Sequence, residues 1–283
     1  MTAIALVQKV KDLPPVSHTA LKLINLLDKP SADNDEIVQV LTYDNVLTAK
    51  LLRACNSPAY GLEESVSSVD QAVVLLGHKQ ILHIVMTLAF GSVMTVSSVT
   101  YTMELNELWE HSLVSAFAAE IVRDDVPELD GQANVAFTAC LLHDIGKLIL
   151  ALALAPEQIS EIRDRIERKQ ISGSQAEKEV LGLDHGDVGA ALLRSWRLPE
   201  NIVEAVANHH RPKVDREPRL SALVHIANVV AHYAKPPVGQ NAYDLQIDPA
   251  VASSFGIDAN KLEKMTGAAQ KSFEQVECFL QMA

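Results

Sequence analysis

The chain has 283 residues, 48% hydrophobic and 21% charged, the balance of an ordinary globular protein, which excludes extensive disorder. Its formal net charge of −12 excludes a broad nucleic-acid surface, because phosphate backbones are held by a surplus of Lys and Arg on one face. Cys55, Cys140 and Cys278 stand far apart without paired spacing, so neither a disulfide framework nor a zinc ribbon is expected, and a reducing cytoplasm fits.

From the N-terminus, MTAIALVQKVKD lacks the basic start and apolar stretch of a secretory signal, and no apolar run is expected to reach the roughly 18–20 residues that span a bilayer. Helical periodicity then takes over: Ala20, Leu23, Ile24 and Leu27 recur at three- and four-residue steps, as do Leu47, Leu51, Ala54 and Cys55, then Val69, Ala72, Val73 and Leu76. Asp33 with Glu36 makes a capping-box-like start, Ser68 can cap the helix at Val69, and Gly77 can close it. Ile84 to Val99 reads as a buried helix and its exit. A helix from about Glu104 to Val122 places Leu105, Leu108, Leu113 and Ala116 near its buried side, with His111 among them.

One helix is predicted from about Ala133 to Leu154, ended by Pro156, then a charged one from Glu157 to Lys169 and a short one ending at Gly182. Further helices run from Asp184 to Trp196, from Asn201 to His210 before Pro212, and from Leu220 to Tyr233. Residues 236–248 read as a Pro- and Gly-containing linker, followed by short helices near Pro249 to Phe255 and Ala259 to Met282. No segment alternates with period two, so the fold class is all-α. The expected organisation is an N-terminal helical lobe over 1–100, a second lobe carrying the histidines over 101–235, and a linker with a helical appendix over 236–283.

The motif that carries chemistry is His143-Asp144 in LLHDIGKLIL. Leu141, Leu142, Ile145 and Leu148 send this stretch into the core, where an uncompensated carboxylate costs several kcal/mol. His111, His185, His209 and His210 flank it in helical sequence, with the polar Asn228 beyond, and the set reads as a metal cage. Imidazoles with a carboxylate suit iron or manganese, and also zinc or nickel. An aspartate with imidazoles on both sides can hold two cations about 3.5–4 Å apart. Lys147, one turn below Asp144, could neutralise a phosphate. The residues alone leave two states open: a metal-loaded site, or a hydrogen-bonded network without metal.

Other side chains carry plainer readings. Glu107, one turn before His111, reads as an exposed helical residue with ligation as the alternative, and Cys140 as a small buried hydrophobe. His18, His78, His83 and His232 are placed on polar faces or in loops, as surface or satisfied core groups, and His225 in core packing. Arg194 and Arg197 beside Trp196, with Arg211, Lys213, Arg216 and Arg219, read as solvated side chains or, alternatively, a phosphate-facing rim.

At these residues the chain resembles the HD superfamily of metal-dependent phosphohydrolases. More narrowly it resembles HDOD-domain proteins, through LPPVSHTALKLINLL, LTYDNVLTAKLLRACNSPAYGL with Asn56-Ser57, and SSVDQAVVLLGHKQI with Leu76-Gly77, over about residues 13–212. That resemblance implies a two-lobed all-α fold with an HD-like core and a place in bacterial signalling, in a family without a generally established catalytic activity. By the related HD-GYP pattern, His111, His143, Asp144 and a later Asp would hold one metal, and Asp144, His185, His209 and His210 a second. The later Asp is Asn228 here, and the downstream GYP signature is missing. The resemblance therefore implies a stand-alone regulatory protein with a retained metal site, or alternatively a metal-dependent phosphohydrolase acting on a nucleotide or phosphoester through Asp144 and Lys147. Expected partners are signalling proteins and a phosphorylated small molecule or nucleotide, with no nucleic acid and no membrane.

Overall fold

The structure is a computed structural model that describes residues 2–11, 13–14, 16–27, 34–62, 65–94, 105–215, 219–235, 246–272 and 277. Its α-helices are α1 (Ala3–Lys9), α2 (His18–Leu27), α3 (Asn34–Thr42), α4 (Asn45–Cys55), α5 (Val69–Met94), α6 (Leu105–Asp125), α7 (Ala133–Leu142), α8 (Ile145–Ala153), α9 (Pro156–Lys169), α10 (Gly173–Leu181), α11 (His185–Ser195), α12 (Glu200–Asn208), α13 (Leu220–Ala234), α14 (Pro249–Phe255) and α15 (Ala259–Lys271). No strand occurs among the described residues, so the all-α expectation holds.

Helices α2 to α5 pack on one another, α4 and α5 most extensively. The residues that carry the family resemblance shape this region rather than the histidine cluster. Asn56 caps α4 and clamps the following loop, its Nδ2 donating to the Val66 carbonyl at 2.9 Å and its Oδ1 accepting from the Val66 N–H at 2.7 Å. Ser68 Oγ accepts from the Gln71 N–H, as its capping position predicts. Gly77 closes the first part of α5 as expected, its non-helical φ 78° and ψ 155°, a backbone region that L side chains avoid, dividing α5 into two helical parts across a kink.

The second group is built on α6, α7 and α13 on one side and α8, α11 and α12 on the other. Helix α1 packs against α8 and α11, and α15 against α13 and α6, so both ends of the described chain lie on this group. The single helix expected over Ala133 to Leu154 is two. The chain turns at His143-Asp144 between α7 and α8, which lifts the motif out of a regular helix and frees both side chains to point inward.

Two stretches, Val69–Met94 and Val135–Ala153, are by length and composition apolar enough to cross a bilayer, contrary to the expectation from the sequence. The first carries the Gly77 bend and buries Ile81, Ile84, Val85 and Phe90. The second is interrupted by the turn and contains the buried His143, Asp144 and Lys147. Both are core helices here. His83 and His232 are likewise not on polar faces or in loops: they are 7% and 2% exposed, inside α5 and α13. Asp33, Cys278, the exit after Met94 and most of the 236–248 linker lie outside the described residues, as does Arg216.

Candidate metal centre

Two glycines decide how closely the walls of the site approach. A Cβ on Gly146 of α8 would stand 1.8 Å from the His185 carbonyl oxygen and 2.8 Å from the Gly189 backbone nitrogen, so α8 and α11 cross at backbone contact. That crossing sets His185, at the start of α11, directly against Asp144, at the start of α8. Asp184 caps α11 by accepting from the Asp187 N–H at 3.0 Å, while the Asp187 carboxylate accepts in turn from the Asp184 N–H at 3.1 Å.

The Asp144 carboxylate, 1% exposed, divides its oxygens between two sets of imidazoles. Oδ2 faces His143 Nε2 at 3.5 Å and His111 Nε2 at 3.9 Å; Oδ1 faces His185 Nε2 at 3.2 Å and His209 Nε2 at 3.8 Å. His210 completes the second set, with its Nε2 2.9 Å from that of His185. In each set, Asp144, His185, His209 and His210 on one side and His111, His143 and Asp144 on the other, the ligand-type atoms lie within 4.8 Å of one another and could hold a metal ion.

The rings are oriented for this. His143 Nδ1 donates to the Cys140 carbonyl at 2.6 Å and His209 Nδ1 to the Val206 carbonyl at 2.7 Å, which leaves each Nε2 as a bare lone pair aimed at Asp144. His143 Nε2 is buried with no hydrogen-bond partner among the described residues, and Asp144 Oδ1 faces His185 Nε2 at 3.2 Å. A polar atom left so in a core is costly unless something else binds it, and the imidazole and carboxylate donors of each set fit a divalent cation. Burial opposes the ionised form of Asp144, but Lys147, His143 and His185 outweigh it and hold the carboxyl well below its ordinary range. Burial keeps His111, His209 and His210 neutral, the form that binds metals.

His185 is the exception. Burial would lower its pKa, but the Glu177 carboxylate and the hydrogen bond to Asp144 raise it to about 10, so without metal a proton sits where a cation would. Glu177 is fully buried and 2.8 Å from His185 Nδ1. Sequence reading missed it. Its signal is the placement of a glutamate on the inner face of α10, eight residues before His185.

The expected site residues differ in how they are engaged. Asn228 Oδ1 accepts from His111 Nε2 at 2.8 Å, so the imidazole atom that would ligate is already occupied. Lys147, 2% exposed, donates to Asp144 Oδ2 at 2.7 Å and spends its charge on the same oxygen that faces His111 and His143. His225 holds the second set in place, its Nδ1 donating to the His209 carbonyl at 2.7 Å and its Nε2 accepting from the Asp248 N–H. His232 stacks on His111 at 4.2 Å between centroids. Glu107 is half-buried and outside both sets, and Cys140 is a buried free thiol whose pKa burial pushes up. Of the basic residues, Arg194 pairs with Glu200, Arg219 lies over the Phe255 ring, and Arg211 stands 3.6 Å from Asp184.

The profile of the HDOD domain matches residues 13–212. The chain belongs to the HDOD domain family. Among solved structures, this HDOD protein is similar to an HDOD domain protein of unknown function from Geobacter sulfurreducens, with a TM-score of 0.74, 23% identity and coverage of 99% of this chain and 96% of that one. It is similar also to a candidate signal transduction protein from Marinobacter aquaeolei VT8, with a TM-score of 0.74 and 24% identity over 96% of this chain and 60% of that one. A candidate phosphohydrolase from Shewanella amazonensis SB2B has a TM-score of 0.67 and 24% identity, covering 98% and 97% of the two chains. At such identities these likenesses establish the fold alone. A curated relative, an uncharacterised protein of Treponema pallidum, is 23% identical over 277 residues; the HDOD chain spans 96% of itself but only 52%, about half, of that relative's length.

Proposed function

We propose that this HDOD protein is a regulatory signal-transduction module with one tightly held divalent cation on the Asp144 Oδ1 side, iron or manganese ahead of zinc or nickel. The observation that carries the reading is the inequality of the two sides of Asp144. The Oδ1 side offers three imidazoles, one of them backed by Glu177, and no lysine, so that a cation there has only the proton on His185 to displace. The Oδ2 side offers two imidazoles and a neutral amide, with Lys147 already on the shared oxygen. Two-cation hydrolysis needs both sides filled, so the geometry favours binding over turnover. The likeness to a candidate signal transduction protein supports the role, and signalling proteins are the partners it calls for. The buried free thiols of Cys55 and Cys140 suit the cytoplasm.

The second reading, a phosphohydrolase acting on a phosphoester, is favoured by the pocket that opens beside His210 and Asn228. There a bound cation would supply Lewis acidity to a phosphoryl oxygen, while Asp144 and the histidines orient it and Lys147 steadies the Asp144 charge.

The test is elemental analysis of protein purified without chelators, followed by assays of 4-nitrophenyl phosphate and bis(4-nitrophenyl) phosphate with manganese or ferrous iron. One bound cation per chain and no turnover are expected. Turnover abolished by Asp144→Ala in a folded protein would replace the first reading with the second, and absence of metal under every condition would end both.

A further inference from the structure

Beside the Asp144 cage lies a pocket of about 360 Å³, within the size range of small-molecule sites. His210, Asn228 and His225 line it on the side of the cage. The rest of its lining is Ser172, Ser174 and Gln175 at the start of α10, Lys178 one turn further, Arg211, and Gln246 before α14.

Every one of these side chains is polar. Sites for base-bearing or drug-sized ligands are lined predominantly by apolar and aromatic groups, and nucleobases are held by stacking on Phe, Tyr, Trp or an Arg plane. Among the described residues the lining holds no Phe, Tyr or Trp and no aliphatic side chain, and its one guanidinium plane, Arg211, stands 3.6 Å from the Asp184 carboxylate. Two cations stand here, Lys178 and Arg211, and both face the one carboxylate of Asp184. The hydroxyl groups of Ser172 and Ser174 are 3.1 Å apart and the amides of Gln175 and Gln246 stand with them, a set that exchanges hydrogen bonds with hydroxyls rather than with hydrocarbon.

We propose that the pocket binds a phosphomonoester of a small polyhydroxylated molecule, a sugar phosphate rather than a nucleotide. The phosphate lies towards His210 and Asn228, with Lys178 and Arg211 balancing its charge, and the sugar hydroxyls bond to the serines and glutamines. The direction of the phosphate rests on the cage being a cation site. The choice of a sugar over a base rests on the lining alone.

Calorimetric titration of the manganese-loaded and the chelator-treated protein with ribose 5-phosphate, ribose, inorganic phosphate and AMP tests this. Ribose 5-phosphate should bind at least about tenfold more tightly than any of the other three, as loss of one charged or several neutral hydrogen bonds requires. Arg211→Gln and Gln246→Ala, both at exposed positions, should each weaken it about tenfold while manganese affinity and melting temperature stay unchanged. AMP binding as tightly as ribose 5-phosphate, inorganic phosphate binding equally well, or indifference to both substitutions would overturn the proposal. Manganese binding is measured separately. Its loss with ribose 5-phosphate binding retained would sink only the metal reading, and manganese bound without any ribose 5-phosphate binding would sink only this one.

Discussion

His185 turns both its ring Nδ1 and its backbone N–H onto the one buried carboxylate of Glu177, at 2.8 Å and 2.5 Å. The double contact fixes the ring's rotation and its tautomer and ties both to the first turn of α11, so His185 Nε2 reaches the Asp144 side without searching. Losing a carboxylate that orients a ligating histidine costs about 10–100-fold in metal affinity. Glu177→Gln keeps the shape and removes the charge. It should weaken manganese binding by that factor, read by competition with a fluorescent chelator, while circular dichroism shows an intact helical fold. Unchanged affinity would show that His185 is positioned by α11 alone.

Asn228 presents a neutral oxygen to His111 where an anion would attract a cation. Asn228→Asp adds a second negative charge beside Asp144 Oδ2, which Lys147 now neutralises by itself. A cation on that side then meets two carboxylates and two imidazoles. The expected outcome is a rise from one to two bound manganese ions per chain, counted by elemental analysis after desalting. A stoichiometry that stays at one would mean that Lys147 keeps its hold on Oδ2 regardless of the added charge.

Gly146 allows the α8–α11 crossing because a side chain there would overlap the His185 carbonyl, a backbone group that cannot swing away. Gly146→Ala must therefore push the helices apart, and overpacking of this kind costs about 3 kcal/mol. Chemical denaturation should show that loss, and manganese affinity should fall with it because the displaced residue is the ligand His185 itself. Gly267, inside α15, where a Cβ would meet nothing within 4 Å, is the control: Gly267→Ala should leave manganese affinity unchanged and raise stability by about 1 kcal/mol through helix propensity.

Much of this is readable in the sequence. The cap at Ser68, the helix beginning at Asp184 and the end at Gly182 follow from spacing and periodicity, and the gathering of five histidines around one aspartate follows from the His-Asp motif together with the family resemblance. What escapes is tertiary. The apolar run around His143-Asp144 is as good a helix pattern as any, and only the packing of α8 on α11 forces a turn there. Glu177 looks like one more charge on an ordinary helix, because its partner is brought to it by the Gly182 turn and the Asp184 cap. Sequence puts His83 and His232 on polar faces because a histidine's ring carries no hydropathy signal strong enough to place it; stacking on Phe137 and on His111 is what places them.

His83 gives the fold a pH dependence that is independent of the histidine cage. Burial chiefly, then the positive charges of Lys79 and Arg123, lower its pKa to about 3, while Glu120 nearby is engaged with Lys79 and Arg123. In the unfolded chain the ring titrates near 6.5. Below that pH the unfolded state takes up a proton that the folded state refuses, so stability contributed by the neutral ring is present above pH 6.5 and drains away as pH falls towards 3. At 1.36 kcal/mol per unit, this one group removes about 2 kcal/mol between pH 6.5 and 5. His83→Gln should be less stable at neutral pH, through the lost stacking on Phe137, yet lose about 2 kcal/mol less than the parent between those two pH values in urea denaturation. Parallel losses in the two proteins would mean that His83 becomes protonated in the folded state at mild pH, with Glu120, 3.8 Å from its Nε2, as the partner that accepts the charge.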